Sequence, residues 1–404
     1  MNLPENVSGV TYMDGYVRSL KMISMWPRGT TSFLRYWTVF FITLGSGGLT
    51  LAGMYHKVLF HSGDVDEAAE VVDFLTVYTS GVFRYIHSYL HGKKYTEIVS
   101  FIHENFTHES FGPGKKKTMD KYVKISKIIM YGYLMFMSMW IIQLSVSPFL
   151  YYYTQKNMRY ENGTAAHPNP QVIMPLKITL LTDAYSKVLS HGIIILSYFS
   201  LGYIYVFNDA FWFAAMLLTA GQFELIAHSL KSIVSDSEEP EERELAEIDG
   251  LVTSCVNQHG VTRQVVRLTE ELMHPMVLVD FLHAVASITF ILYEMTIALY
   301  EFEWIKVMNH LEYLMISVFH MFVLDYVGNE LSLKEQEISE AAYSIPWYKY
   351  PRKLQTKVVL LTTLARKPCH LTGGKLYTIS LEFFAGTIKT IFSYFMVLLQ
   401  LLEA

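Results

Sequence analysis

Apolar positions along this chain fall in long unbroken blocks rather than in short alternations. Ile128 to Gln155 runs for 28 residues without an Asp, Glu, Lys or Arg, and Tyr36 to His56 and Val188 to Asn208 run for 21 each. About 20 such residues cross a hydrocarbon core. Backbone polar groups in lipid must be satisfied within their own segment, and no ten-residue barrel alternation is present, so the blocks predict helices. Seven are expected, at about 36–58, 70–92, 124–150, 180–230, 253–300, 305–329 and 375–402. The fold class is therefore an all-α integral membrane protein with seven transmembrane helices. The fourth and fifth blocks exceed what a bilayer needs. Their inner ends carry Glu224, Lys231, Arg263, Arg267, Glu270 and Glu271, which predicts amphipathic extensions into the cytoplasm.

Composition agrees with the pattern. Of 404 residues, 51% are hydrophobic and 17% charged, against about 25% charged in soluble domains. Two cysteines, Cys255 and Cys369, cannot make a disulfide framework. A net charge of −5 gives no basic surface for nucleic acid. The first 35 residues carry no signal-peptide pattern, so the first block is expected to stay in the membrane.

Charge also gives the orientation. With the N-terminus inside, 24 of the 32 Lys and Arg residues fall on the inner side and only Lys57, Lys156, Arg159, Lys177 and Lys306 outside. Positive residues stay cytoplasmic, so the N-terminus is expected in the cytoplasm and the C-terminus outside. That is opposite to a G-protein-coupled receptor. Of three sequons, at Asn6, Asn105 and Asn162, only Asn162 falls outside in this topology, which makes it the glycosylation candidate. The acidic run from Asp236 to Asp249 reads as a solvated turn.

Enzymatic and metal motifs are weak. His103 and His108 are one residue too far apart for a zincin pair, and His87 with His91 lacks further ligands. Gly112-Pro-Gly-Lys-Lys-Lys-Thr lacks the Walker spacing. No catalytic residue, metal or cofactor is expected.

The last block is more informative. Gly386, Thr390, Ser393, Val397 and Gln400 are spaced 4, 3, 4, 3 and form one stripe on a helix that is otherwise apolar. Small and polar stripes pack against other helices or line water. Val397 one turn inward of Gln400 would make a hydrophobic constriction of the kind that gates by dewetting. One helix cannot enclose a pore, so this reading needs several copies around an axis. Lys389 lies beside the stripe, and Asp325 and Glu330 are its expected partners.

Three C-terminal segments resemble the insect odorant receptor family. They are Gly328-Asn-Glu-Leu331, Ala341-Ala-Tyr-Ser-Ile-Pro-Trp-Tyr348, and a longer stretch. That stretch runs from Leu371-Thr-Gly-Gly-Lys375 through Ser380-Leu-Glu-Phe-Phe384 to Ser393-Tyr-Phe-Met-Val-Leu-Leu-Gln-Leu401. The placement of Asp209 and His259 also matches. The resemblance implies a tetrameric, odorant-gated, non-selective cation channel. It places helices 1–6 and the odorant pocket in 1–330, a cytoplasmic loop and anchor helix in 331–374, and the pore-lining helix in 375–404. The gate would fall on Val397, with Gln400 and Leu401 nearby and Ser393 and Thr390 deeper in the pore. The co-receptor of that family is longer between spans four and five, so this chain looks like a tuning subunit. Its implied partners are a volatile odorant, the co-receptor in a heterotetramer (basal members form homotetramers) and the lipid bilayer, with no G protein. The implied location is the plasma membrane of sensory neuron dendrites.

By the same resemblance the odorant pocket lies in the outer half of the bundle. Its candidates are Leu75, Tyr78, Thr79 and Val82 in span two, and Met137, Trp140, Ile141 and Leu144 in span three. Span four adds Gly192, Ile195, Leu196 and Phe199, and span six adds Asn309, Tyr313 and Ile316. Apolar and aromatic walls with a few polar groups suit a neutral volatile. The alternatives are a gustatory-type channel, a seven-helix G-protein-coupled receptor and a transporter. Thr-Tyr-x5-Gln-Phe would mark the gustatory branch, and Ser393-Tyr394 with Gln400-Leu401 departs from it.

Overall fold

Ten α-helices are described in a computed structural model that covers residues 12–26, 33–61, 65–106, 116–162, 183–233 and 242–403. They are α1 (Asp14–Met22), α2 (Phe33–His61), α3 (Val65–Leu90), α4 (Gly92–Asn105), α5 (Lys116–Asn162), α6 (Asp183–Lys231), α7 (Glu242–Tyr300), α8 (Trp304–Ser344), α9 (Arg352–Ala365) and α10 (Leu381–Glu403). A two-stranded hairpin, β1 (Thr372–Gly373) and β2 (Tyr377–Thr378), precedes α10. Among the described residues, α2, α5, α6, α7, α8 and α10 are long and apolar enough to cross a membrane. The seventh expected span is α3, whose 26 residues include Asp66, Glu67, Glu70, Asp73 and Arg84.

Helix length explains the layout. At 1.5 Å per residue, the 49 residues of α6 reach about 73 Å and the 59 of α7 about 88 Å. A hydrocarbon core takes only about 30 Å of each. The remainder forms a second bundle joined by α4, the lower half of α8, and α9. The central element is α6: nearly every residue from Leu201 to Leu230 is buried, and it packs on α2, α3, α5, α7 and α8. A helix apolar on all faces is stable only when surrounded in this way.

Three boundaries differ from the sequence expectation. Span six is expected to stop at 329, but α8 continues to Ser344, so the boundary at 330 lies inside a helix. Ile338, Ala341 and Ala342 continue its buried face after the apolar run ends. Within the 331–374 loop and anchor segment, a 3-10 turn at Trp347–Lys349 follows α8 and the anchor helix begins only at Arg352, after Pro351. Pro suits a helix start because its missing N–H is not needed there. Finally, 375–380 is not helical. Gly374 and Lys375 have φ of 58° and 61° and close the hairpin.

That hairpin is fixed to α7. The Gly374 amide donates to the His274 carbonyl (2.7 Å), Tyr377 Oη to the Val277 carbonyl (3.1 Å) and Thr372 Oγ1 to Glu270 (2.6 Å). Gly328 of α8 passes so close to the linker that an added Cβ would lie 2.6 Å from Ile379 Cγ2. The glycines of two of the sequence segments singled out above thus mark where α7 and α8 meet the foot of α10.

Candidate functional site

An aromatic cage occupies the upper bundle. Trp140 of α5 stacks on Tyr313 of α8 with centroids 5.2 Å apart. It also lies 6.0 Å from Tyr198 of α6, which in turn lies 5.8 Å from Tyr78 of α3. Ser287 of α7 donates to Tyr313 Oη at 3.0 Å. Gln143 and Asn309 share a hydrogen bond of 2.5 Å one layer further out. Met137, Ile141 and Ile316 are buried beside the rings. The arrangement brings aromatic rings and a few hydroxyl groups together, a chemistry that suits an apolar molecule.

The candidate residues divide clearly. Tyr78, Met137, Trp140, Ile141, Tyr313 and Ile316 are buried, while Leu75, Val82 and Leu144 pack against the same core. Ile195 and Asn309 are half-buried. Gly192, Leu196 and Phe199 face outward, as does Thr79, whose hydroxyl bonds its own Leu75 carbonyl at 2.7 Å. In α6 the inward face is instead Ile194, Ser197, Tyr198 and Leu201. The span is apolar all round, so hydropathy could not set its phase. The signal was Asp209: stepping back through Tyr205, Leu201, Tyr198 and Ile194 follows its face at helical spacing.

In α10 the opposite sides differ. Thr387 and Ile391 are buried, and Phe384 and Ile388 pack with Ala284, Ile288 and Met321 of α7 and α8. Gly386, Thr390, Ser393, Val397 and Gln400 are all exposed, with Val397 at 54%. The Leu401 side chain lies outside the described residues, as do the Asn162 side chain, Asn6 and the segment with His108 and Gly112. At the base of the stripe, Glu382, Thr387 and Thr390 border a cavity of about 470 Å³ against Phe281 and Val285 of α7. Lys389 does not pair with Asp325 or Glu330 within the chain. Asp325 accepts from the Ser380 amide (3.2 Å), and Glu330 lies 4.0 Å from Lys334 Nζ. Among the described residues Lys389 makes no ion pair, and it is exposed.

A second polar centre lies in the lower bundle. Glu335 of α8 is fully buried. It accepts from His259 Nε2 (2.8 Å) and from the Cys369 amide (2.6 Å), and it pairs with Arg263 Nε (2.7 Å). Arg263 also donates to the Lys367 carbonyl at 2.6 Å. The residues leading to α10 are thereby tied to α7 and α8. Burial pushes the Cys369 thiol up to about 11, and the Glu335 carboxylate adds to the shift. Among the described residues no His, Cys, Asp and Glu group could hold a metal ion.

Known proteins place this architecture. The structure superposes on the olfactory receptor OR5 from Machilis hrabei, solved in complex with eugenol, with a TM-score of 0.77. The match covers 96% of this chain and 99% of that one, at 14% identity. At that identity the likeness concerns the fold. The odorant receptor coreceptor of Drosophila melanogaster is 31% identical over 128 residues, 31% of this chain and 25% of that protein. Odorant receptor 10 of Aedes albopictus is 29% identical over 86 residues, 21% of this chain and 23% of its own length. The chain thus aligns with about a quarter of the length of these curated relatives. The model of the 7tm Odorant receptor family matches residues 64–392, well over half of the chain, and the chain belongs to that family.

Proposed function

We propose that this chain is the odorant-binding subunit of a ligand-gated, non-selective cation channel in the plasma membrane. Its N-terminus faces the cytoplasm, its C-terminus faces outside, and Asn162 carries a glycan. Four subunits, this chain together with a co-receptor, place their α10 helices around one axis. The observation that carries the reading is the two-sidedness of α10. Its apolar face packs on α7 and α8, while the stripe from Gly386 to Gln400 turns away from its own subunit. Four such stripes would enclose a water-lined path, with Val397 as the narrow apolar ring and Gln400 and Leu401 above it.

A neutral volatile enters the cage formed by Tyr78, Trp140, Tyr198 and Tyr313. Burying about 200 Å² of apolar surface contributes about 5 kcal/mol. Binding shifts the channel only if the open arrangement holds the volatile more tightly than the closed one. The cage residue Tyr313 and the lower Glu335 centre lie on one helix, α8, so a displacement at the cage reaches the linker before α10.

Whole-cell recording from cells expressing the chain with a co-receptor tests the reading. Volatiles should evoke cation currents, and Val397→Ala should raise basal leak or alter ion selectivity. A Val397→Ala channel with unchanged leak and selectivity removes this residue from the gate.

A further inference from the structure

Between the cage and the foot of α10 lies a cluster of buried ions that neither site uses. Arg84 of α3 is 2% exposed. Its Nη1 pairs with Asp209 of α6 and its Nη2 with Asp280 of α7. His320 of α8 brings Nε2 to 3.0 Å from the other Asp209 oxygen. Ser80 donates to Asp280 at 3.2 Å, and the Tyr205 ring lies 4.5 Å from the guanidinium carbon. Four helices each contribute one ionisable side chain to this cluster.

Other titratable groups pack around the cluster. On α5, Tyr133 stacks on the His320 ring at 5.8 Å. On α7, His283 is 2.9 Å from Thr76 Oγ1. On α8 itself, Asp325 accepts from the Ser380 amide. The Arg84 guanidinium and the two carboxylates that it pairs with sum to −1. An imidazolium at 320 brings the total to zero, and an unbalanced buried charge is strongly disfavoured.

Position supplies the second argument. Asp280 and Ser287 are seven residues apart, as are Tyr313 and His320, which puts the cluster about 10 Å below the cage. On its other side, Asp280, His320 and Asp325 border a small cavity with Tyr377 and Phe383, whose rings stack at 4.0 Å at the foot of α10. Sliding any one of the four helices would separate opposite charges in a low-dielectric interior.

We infer that Arg84, Asp209, Asp280 and His320 form a charge-neutral tetrad, with His320 protonated, that positions the four cage helices against the foot of α10 and sets the balance between closed and open channel. The gating part rests on the channel reading above. These are positioning residues and touch neither ligand nor ion.

A charge-balance cycle on the full chain tests it. Asp280→Asn leaves the cluster at +1, His320→Gln leaves it at −1, and the double variant returns it to zero. Two readouts are taken: currents with a co-receptor against a panel of volatile alcohols, esters and phenols that includes eugenol, and thermal unfolding of the purified chain in detergent. Each single variant should lower the unfolding temperature and shift basal current or half-maximal concentration by about fivefold or more. The double variant should recover both. His320→Lys keeps a cation and should stay near wild type, which covers the case where His320→Gln does not reach the surface. A double variant no better than the worse single one in both readouts overturns the tetrad. Recovery of unfolding temperature with gating unmoved in every variant overturns its positioning role. Should the wild-type chain pass no evoked current, the channel reading fails and the gating role falls with it. The unfolding cycle then still decides the neutral tetrad.

Discussion

Glu335 shows how much one side chain can hold. Its carboxylate answers His259, Arg263 and the Cys369 amide from a fully buried position. Glu335→Gln removes the charge and leaves Arg263 without its counter-ion, a loss of about 3 kcal/mol. Thermal unfolding in detergent should show a clear drop, and an unchanged midpoint would contradict the role. Cys369 makes a chemical prediction. Because its pKa is raised to about 11, the thiol is protonated at neutral pH, and the thiolate is the reactive form. Maleimide labelling at neutral pH should therefore be much slower than for a free cysteine and should accelerate as pH approaches 11. At this scale the sequence was only partly legible. Trp140 and Tyr313 were among the candidates that the family resemblance offered, and their rings stack on each other. Tyr198 was not among them, because α6 is apolar on every face and its phase is set by ionic partners far away in sequence.

Helices carried most of the legible information. The expected spans at 36–58 and 180–230 match α2 and α6 closely, and 124–150 lies inside the longer α5, because lipid and protein interior impose the same demand on composition. The continuation of α8 to Ser344 was not legible, since below the membrane a mixed polar face hides the buried one. Nor was the hairpin before α10, which depends on the left-handed backbone at Gly374 and Lys375 and on docking to α7. Gly328 belongs to this scale. Gly328→Ala would drive a Cβ into Ile379 and push α8 from the linker, at a cost of about 1–3 kcal/mol. Reduced surface delivery or a lower unfolding temperature should follow, and wild-type behaviour in both would show that the close approach is not needed.

The whole molecule is the scale at which a single chain is least complete. The outward stripe of α10 and Val359, Leu360 and Leu364 of α9 are exposed in the single chain, and the proposed assembly would cover them. Lys389, next to that stripe and without an ion pair among the described residues, would be costly in lipid and is better satisfied by water or a neighbouring chain. The stripe itself was legible because spacing along one helix needs no tertiary knowledge. Its surroundings were not, since whatever covers an exposed helix face leaves no trace in hydropathy. Accessibility along α10 during gating tests the central claim most directly. Val397→Cys and Gln400→Cys would be expressed with a co-receptor, and a membrane-impermeant charged thiol reagent applied from outside while a volatile evokes current. Ile391→Cys, on the buried face, serves as the control. Lasting loss of current at 397 and 400 but not at 391 is the predicted result. Currents that persist unchanged at 397 and 400 would contradict the claim that this stripe lines the conducting path.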